Sequence, residues 1–168
     1  MSIIKNLRNN FFSKEKIISL VIIILVFIFD RLSKIKIVDY ELSRESVFIN
    51  DYLNLNLVWN TGIAFGLFSQ NANFYYHAIS FLIFMVIVFL FYLTIKANFI
   101  DKMSFSLIIG GALGNFYDRI YYYAVPDFID FHINDFHWFT FNIADIFITL
   151  GITLIIIKDL ILKKNEFY

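Results

Sequence analysis

Four long apolar runs, at about 17–38, 74–95, 103–122 and 141–158, set the terms for this chain. About 20 apolar helical residues cross a bilayer core. The runs therefore predict four transmembrane helices in one membrane domain covering residues 1–168. Composition agrees, because 60% of the residues are hydrophobic where a soluble chain carries about 45–50%. The first uninterrupted run, Ile17 to Phe29, rises only about 20 Å as helix, short of a bilayer core. That helix must continue through Asp30-Arg31-Leu32-Ser33-Lys34 towards Val38. The first alanine is Ala64, so no A-x-A cleavage site follows the run, which reads as an uncleaved span.

Charge and residue usage exclude several functions. The formal net charge is zero, which gives no basic surface for nucleic acid. There is no cysteine, hence no thiolate nucleophile and no cysteine metal site. His77, His132 and His137 form no H-E-x-x-H pattern, so no metal and no cofactor is expected. His77, beside Tyr75 and Tyr76, reads as an interfacial residue.

The ionisable residues are not scattered. Asp30 and Lys34 are i,i+4 neighbours and can pair, as a snorkelling pair at the interface, as a brace for a polar site, or as both. Asn115, Asp118 and Arg119 share one face at the end of the third run, where Asp118 and Arg119 can neutralise each other. Gly110 and Gly114 stand in G-x-x-x-G spacing on a small-residue face suited to close helix packing. Asn142 and Asp145 lie i,i+3 at the start of the fourth run. Between the runs, Leu53–Trp59 alternates as a strand does, and Asn60-Thr61-Gly62 follows as a turn. Ile129–Ile133 alternates too, with a turn at Asn134-Asp135, which predicts a small hairpin able to join the earlier strand.

Basic residues give the orientation. Lys5, Arg8, Lys14, Lys16, Lys96, Lys102, Lys158, Lys163 and Lys164 flank one side, whereas the loops 39–73 and 121–140 hold only Arg44. The positive-inside rule puts both termini in the cytoplasm and both loops outside. Asp30 and Asp118 then lie at the outer ends of their helices, and Asp145 one or two turns into its own. Separate segments thus bring polar groups to one depth, and ionisable groups at membrane depth are functional candidates by default.

Two neighbouring carboxylates can divide acid and base roles, because both do not ionise easily together. Such a pair activates water and protonates a leaving amine. A proton-coupled carrier could use the same acids, but carriers show repeated, broken helices near mid-membrane, and no inverted repeat is evident here. A scaffold with partner-binding loops would not need Asn-Asp pairs at helix ends. On residue pattern alone, Asp118, Asp127 and Asp130 remain equal partners for Asp145.

Five motifs in order narrow the choice. They are Asp30-x-x-x-Lys34, Asn60-Thr61-Gly62-Ile63-Ala64-Phe65, Gly110-Gly111-Ala112-Leu113-Gly114-Asn115-x-x-Asp118-Arg119, Asp127-Phe128-Ile129-Asp130 and Phe141-Asn142-Ile143-Ala144-Asp145. Together, from about Asp30 to Gly151, the chain resembles the lipoprotein signal peptidases, the signal peptidase II family. The resemblance implies four transmembrane helices, a small extracytoplasmic β-sheet and a short surface helix. It implies a metal-independent aspartic endopeptidase with Asp127 and Asp145 as the catalytic pair. Asp30, Lys34, Asn60, Gly114, Asn115, Asp118, Arg119, Asn142 and Ala144 are then the substrate-binding or supporting residues. The implied substrate is a diacylglyceryl-modified prolipoprotein, cut before its lipidated cysteine at the outer face of the bacterial inner membrane. The enzyme is expected to work as a monomer. Two positions depart from the family pattern: Pro126 replaces the second valine of V-V-D, and Tyr123 stands where a glycine is common.

Overall fold

The computed structural model describes residues 13–41, 47–62, 72–134 and 136–166. Lys5, Arg8, Arg44, Asp135 and the Ile63-Ala64-Phe65 part of the second motif lie outside the described residues. Along the chain the elements are α1 (Lys14–Glu41), β1 (Val47–Asn50), β2 (Leu53–Asn60), α2 (Ala72–Lys96), α3 (Phe99–Tyr121), β3 (Val125–Ile133), β4 (Phe136–Phe141) and α4 (Ile143–Glu166). The described chain is mostly helical, with one antiparallel sheet in the order β1-β2-β3-β4. The alternating stretch at Leu53 is β2. The second loop is a hairpin whose first strand pairs with β2, from Leu53 opposite Phe131 to Asn60 opposite Val125. No short surface helix occurs among the described residues.

Helix α3 is the centre of the bundle and packs against α1, α2 and α4. Its small-residue face makes this possible. A Cβ on Gly110 would lie 2.7 Å from Val26 of α1, and one on Gly111 would lie 2.5 Å from the Ala144 carbonyl oxygen of α4. Backbones therefore approach more closely here than any larger residue permits. Deep in the same bundle, the hydroxyls of Ser19 and Ser106 hydrogen-bond at 2.6 Å.

The bundle is polar inside and apolar outside. Asp30, Lys34, Lys102, Ser104, Ser106 and Asp118 are buried, whereas Leu20, Leu25, Phe29, Phe81, Phe89, Ile156 and Leu160 are exposed. By length and composition, one helix segment among the described residues, Phe74–Lys96, with mean hydropathy 2.8, is apolar enough to cross a membrane. The other three helices carry more ionisable residues; Asp30, Lys34, Lys102 and Asp118 among them are buried, whereas Lys14, Glu15, Lys36, Asp39 and Asp159 are exposed.

Helix ends follow local chemistry. The side chain of Asn98 accepts from the Asp101 backbone N–H at 3.0 Å and opens α3. Just past α3, Tyr123 takes a left-handed φ of 56°, a conformation that glycine adopts without steric cost. This is the position at which the family resemblance leads one to expect glycine. The β3–β4 turn uses Asn134 at φ 51°, a residue that tolerates this region.

The start of the last helix differs from the expected run at 141. Phe141 closes β4, Asn142 caps, and the helix begins at Ile143. Asp145 consequently sits in the first turn and not one or two turns inside. The reason is a reciprocal cap. Asn142 Oδ1 accepts from the Asp145 N–H at 3.1 Å, and Asp145 Oδ2 accepts from the Asn142 N–H at 3.1 Å. This N-x-x-D spacing is a helix-start signal legible in the sequence.

Candidate active site

Asp127 and Asp145 are joined through one residue. The Asn142 side-chain amide donates to Asp127 Oδ1 at 2.6 Å, while the Asn142 backbone N–H donates to Asp145 Oδ2. Each carboxylate has a further asparagine on its other oxygen. Asn60 donates to Asp127 Oδ2 at 2.9 Å, and Asn115 donates to Asp145 Oδ1 at 2.8 Å. Neither acid forms an ion pair among the described residues, so neutral amides alone hold them. Asp127 is only 4% exposed. Burial, reinforced by the charge of Asp145, pushes the Asp127 carboxyl above its ordinary pKa, against the pull of the two amide hydrogen bonds.

The asparagines are themselves fixed. Gly62 stands at φ 73°, and its N–H donates to Asn60 Oδ1 at 2.8 Å, so only the Asn60 amide nitrogen is left to face Asp127. This accounts for the N-T-G order, since that φ favours glycine. Asn115 is oriented from the other direction, because Lys34 Nζ donates to its Oδ1 at 2.7 Å. Lys34 also meets Asp30 Oδ2 at 2.9 Å and Asp118 Oδ2 at 2.7 Å. Lys34, Asp30 and Asp118 are fully buried, and the arrangement satisfies all three ammonium donors. Gly114 leaves room for it, since a Cβ there would fall 2.3 Å from Asp30 Oδ2.

Asp30 has a second task. Its Oδ1 accepts from the Ala144 backbone N–H at 3.0 Å. A carboxylate at a helix N-terminus satisfies an orphan donor and complements the helix dipole. Asp30 thus anchors the first turn of α4, the turn that carries Asp145.

Asp118 pairs differently from the sequence expectation. Its partners are Lys34 and Arg31, not the adjacent Arg119. The Arg31 guanidinium also lies over the Tyr117 ring, 4.7 Å from its centroid. Arg31 was missed because its contact spans two helices and leaves no local spacing signal. Arg119 is left with Nε and Nη1 buried and without hydrogen-bond partners among the described residues, its Nη1 lying 3.1 Å from where a Gly62 Cβ would be. Beside Asp145, Phe139, Phe141, Ile146, Thr149, Leu150 and Thr153 line an open apolar groove of about 410 Å³.

The histidines divide. His77 is exposed and meets only the rings of Tyr76 and Tyr123 in the ring contacts described. His132 and His137, which show no ligand spacing along the chain, come face to face across the β3–β4 hairpin next to Asp130.

Buried ionisable groups inside an apolar-sided helical bundle, with polar residues converging at one end, define a membrane enzyme. Residues 22–161 match the family described as Signal peptidase (SPase) II. The lipoprotein signal peptidase of Pelagibacter ubique (strain HTCC1062) is 47% identical over 91% of this chain and 93% of its own. That of Anaplasma phagocytophilum (strain HZ) is 37% identical over 88% and 94%. A bacterial membrane enzyme solved by the in meso method at 2.3 Å is similar with a TM-score of 0.69, at 35% identity over 88% of this chain and 90% of its own. The chain belongs to the signal peptidase II family of membrane proteases that process lipoproteins.

Proposed function

We propose that this protein removes the signal peptide from diacylglyceryl-modified prolipoproteins, cutting just before the lipidated cysteine, as an aspartic endopeptidase that uses no metal in the reaction. The observation that carries this reading is the linkage of Asp127 and Asp145 through Asn142, with no lysine, arginine or histidine paired to either carboxylate among the described residues. Two such acids supply both proton transfers that amide hydrolysis needs. In this reading Asp127, whose pKa burial raises, is the acid of the pair. Asp145 takes a proton from water as that water attacks the scissile carbonyl. Asp127 polarises the carbonyl oxygen and passes its proton to the departing amine. Arg119, whose Nε and Nη1 have no hydrogen-bond partner among the described residues, is assigned the donation to substrate carbonyls in this reading. Asn60, Asn115 and Asn142 hold the acids in position, with Asp30, Lys34, Gly114, Asp118 and Ala144 behind them.

The exposed apolar side chains of all four helices, with the buried charges of α1 and α3 between them, support four spans in one domain, beyond the one strongly apolar helix among the described residues. With the basic residues on the terminal side, both termini are cytoplasmic and the sheet and site lie at the outer face of the inner membrane. The two acyl chains keep the substrate in the bilayer, and the groove beside Asp145 accepts an apolar segment. The test is to incubate the purified monomer with a lipidated prolipoprotein in the presence of EDTA and follow signal-peptide release. Release that survives chelation supports the reading. Loss of release that zinc restores, with a melting temperature that EDTA leaves unchanged, overturns its metal-free part, and no release under any condition overturns the substrate.

A further inference from the structure

The sheet face opposite Asp127 carries a second polar cluster that peptide cleavage does not use. Asp130 and His132 are two residues apart on β3 and point the same way, whereas Asp127 points to the other face. A register shift in the β3–β4 pairing sets His137 directly opposite His132. Donor atoms from Asp130, His132 and His137 lie within 4.8 Å of one another. His137 Nδ1 is 2.7 Å from Asp130 Oδ2, and the two imidazoles stack with centroids 5.1 Å apart. His132 is only 8% exposed, yet its Nδ1 has no hydrogen-bond partner among the described residues. On the next strand, Asn54 is the register partner of Asp130 and so shares this face. Its Oδ1 is likewise buried without a partner among the described residues. A buried polar atom left unsatisfied costs about 1–3 kcal/mol, and two of them flank the same carboxylate.

A divalent cation with one bound water answers both. We propose that Asp130, His132 and His137 bind one divalent transition-metal ion of the zinc class, with Asn54 Oδ1 accepting from a water in the fourth position. Two imidazoles and a carboxylate are a donor set that zinc accepts. Donors on a tetrahedral zinc, each about 2.0–2.2 Å away, stand about 3.5 Å apart. The side chains therefore need to move by about 1 Å, with the ion replacing the proton between His137 and Asp130. Bound there, the ion clips β3 to β4 and steadies the strand that presents Asp127 on its other face. It is a structural ion and takes no part in the hydrolysis.

The experiment uses the full chain in detergent, without an oligohistidine tag, loaded with Zn²⁺ or Co²⁺ and freed of excess metal by gel filtration. Elemental analysis should find about one zinc per chain, and the cobalt form should show the visible bands of a low-symmetry site. His132→Gln and His137→Gln should each weaken zinc binding at least tenfold, as loss of a ligand requires. His77→Gln should bind as the parent does. His137 is exposed, so its variant tests the site even where His132→Gln fails to fold, with helicity by circular dichroism as the check on folding. Substoichiometric zinc in the parent, or zinc retained by the His132→Gln/His137→Gln double variant, overturns the proposal and leaves an Asp130–His137 ion pair alone. Asp127→Asn should keep its zinc, so this result and the peptidase reading stand or fall separately.

Discussion

The carboxylate of Asp30 accepts a hydrogen bond from the backbone N–H of Ala144 at 3.0 Å, although 114 residues separate them. The same carboxylate is held by Lys34 at 2.9 Å. The position of Asp145, one residue beyond Ala144, is thus set by a charge network rooted in the first helix.

That network should be costly to break. Removing one partner from a buried ion pair destabilises by about 3–5 kcal/mol. Lys34→Met leaves Asp30 without its cation and Asn115 unoriented, so it should fail to accumulate or melt well below the parent. Asp30→Asn and Asp118→Asn should mainly lower protein level or substrate affinity. Either of these accumulating and binding substrate normally, yet without turnover, would move that acid into the chemistry.

Gly114→Ala should act through the same site by crowding. Its Cβ would fall 2.3 Å from Asp30 Oδ2, and overpacking of this kind costs about 1–3 kcal/mol. Thermal unfolding in detergent reads the effect. A melting curve matching the parent would show that α1 and α3 can separate freely at this level.

The proposed catalytic pair has a clear kinetic signature. Asparagine keeps the shape of aspartate but cannot carry its proton. Asp127→Asn and Asp145→Asn should each lower turnover by about 10²–10⁴-fold or more, with prolipoprotein binding retained. The double variant should be little worse than either single, because the two act as a unit. Near-normal turnover in either single variant would sink the aspartic mechanism.

Stability should report the burial of Asp127. Its folded-state pKa lies above the ordinary 3.8, so between those two values the folded protein keeps a proton that the unfolded chain has lost. This contribution is fully present below 3.8, is lost as pH rises to the raised pKa, and is flat above it. The difference in melting temperature between the parent and Asp127→Asn, measured across pH, should therefore move in favour of the variant as pH rises through the window. A difference independent of pH would mean that the carboxyl titrates as in water.

Orientation is checked with reporters. A fusion after Tyr168 should be cytoplasmic, and an insertion near Asn50 should be exported. An exported C-terminus would break the shared depth assigned to Asp30, Asp118 and Asp145.

Much of this protein is written locally. Apolar runs mark the helices, because helix length and hydropathy are properties of contiguous residues. Alternation at Leu53–Trp59 and Ile129–Ile133 marks strands for the same reason, and the i,i+4 pairing of Asp30 with Lys34 needs only helical geometry. The cap at Asn142 was equally local, although the apolar Phe141 beside it disguised the boundary between β4 and α4. Partner choice between distant segments is different in kind. Asp118 turns to Arg31 and Lys34 and away from its neighbour Arg119, because burial makes a carboxylate seek the cations that share its cavity. Asp127, and not Asp118 or Asp130, meets Asn142 because strand pairing with β2 turns alternate residues of β3 to opposite faces. The same alternation sends Asp130 and His132 to the far face, where a register shift brings up His137. The sequence by itself determined the helical runs, the strands at Leu53–Trp59 and Ile129–Ile133 and which residues could carry the chemistry, whereas β1 at Val47–Asn50 and the boundary between β4 and α4 came only with the fold. Only the packing of α1, α3, α4 and the sheet decided which of them meet, because contact between residues far apart in the chain depends on register and crossing geometry that no local pattern encodes.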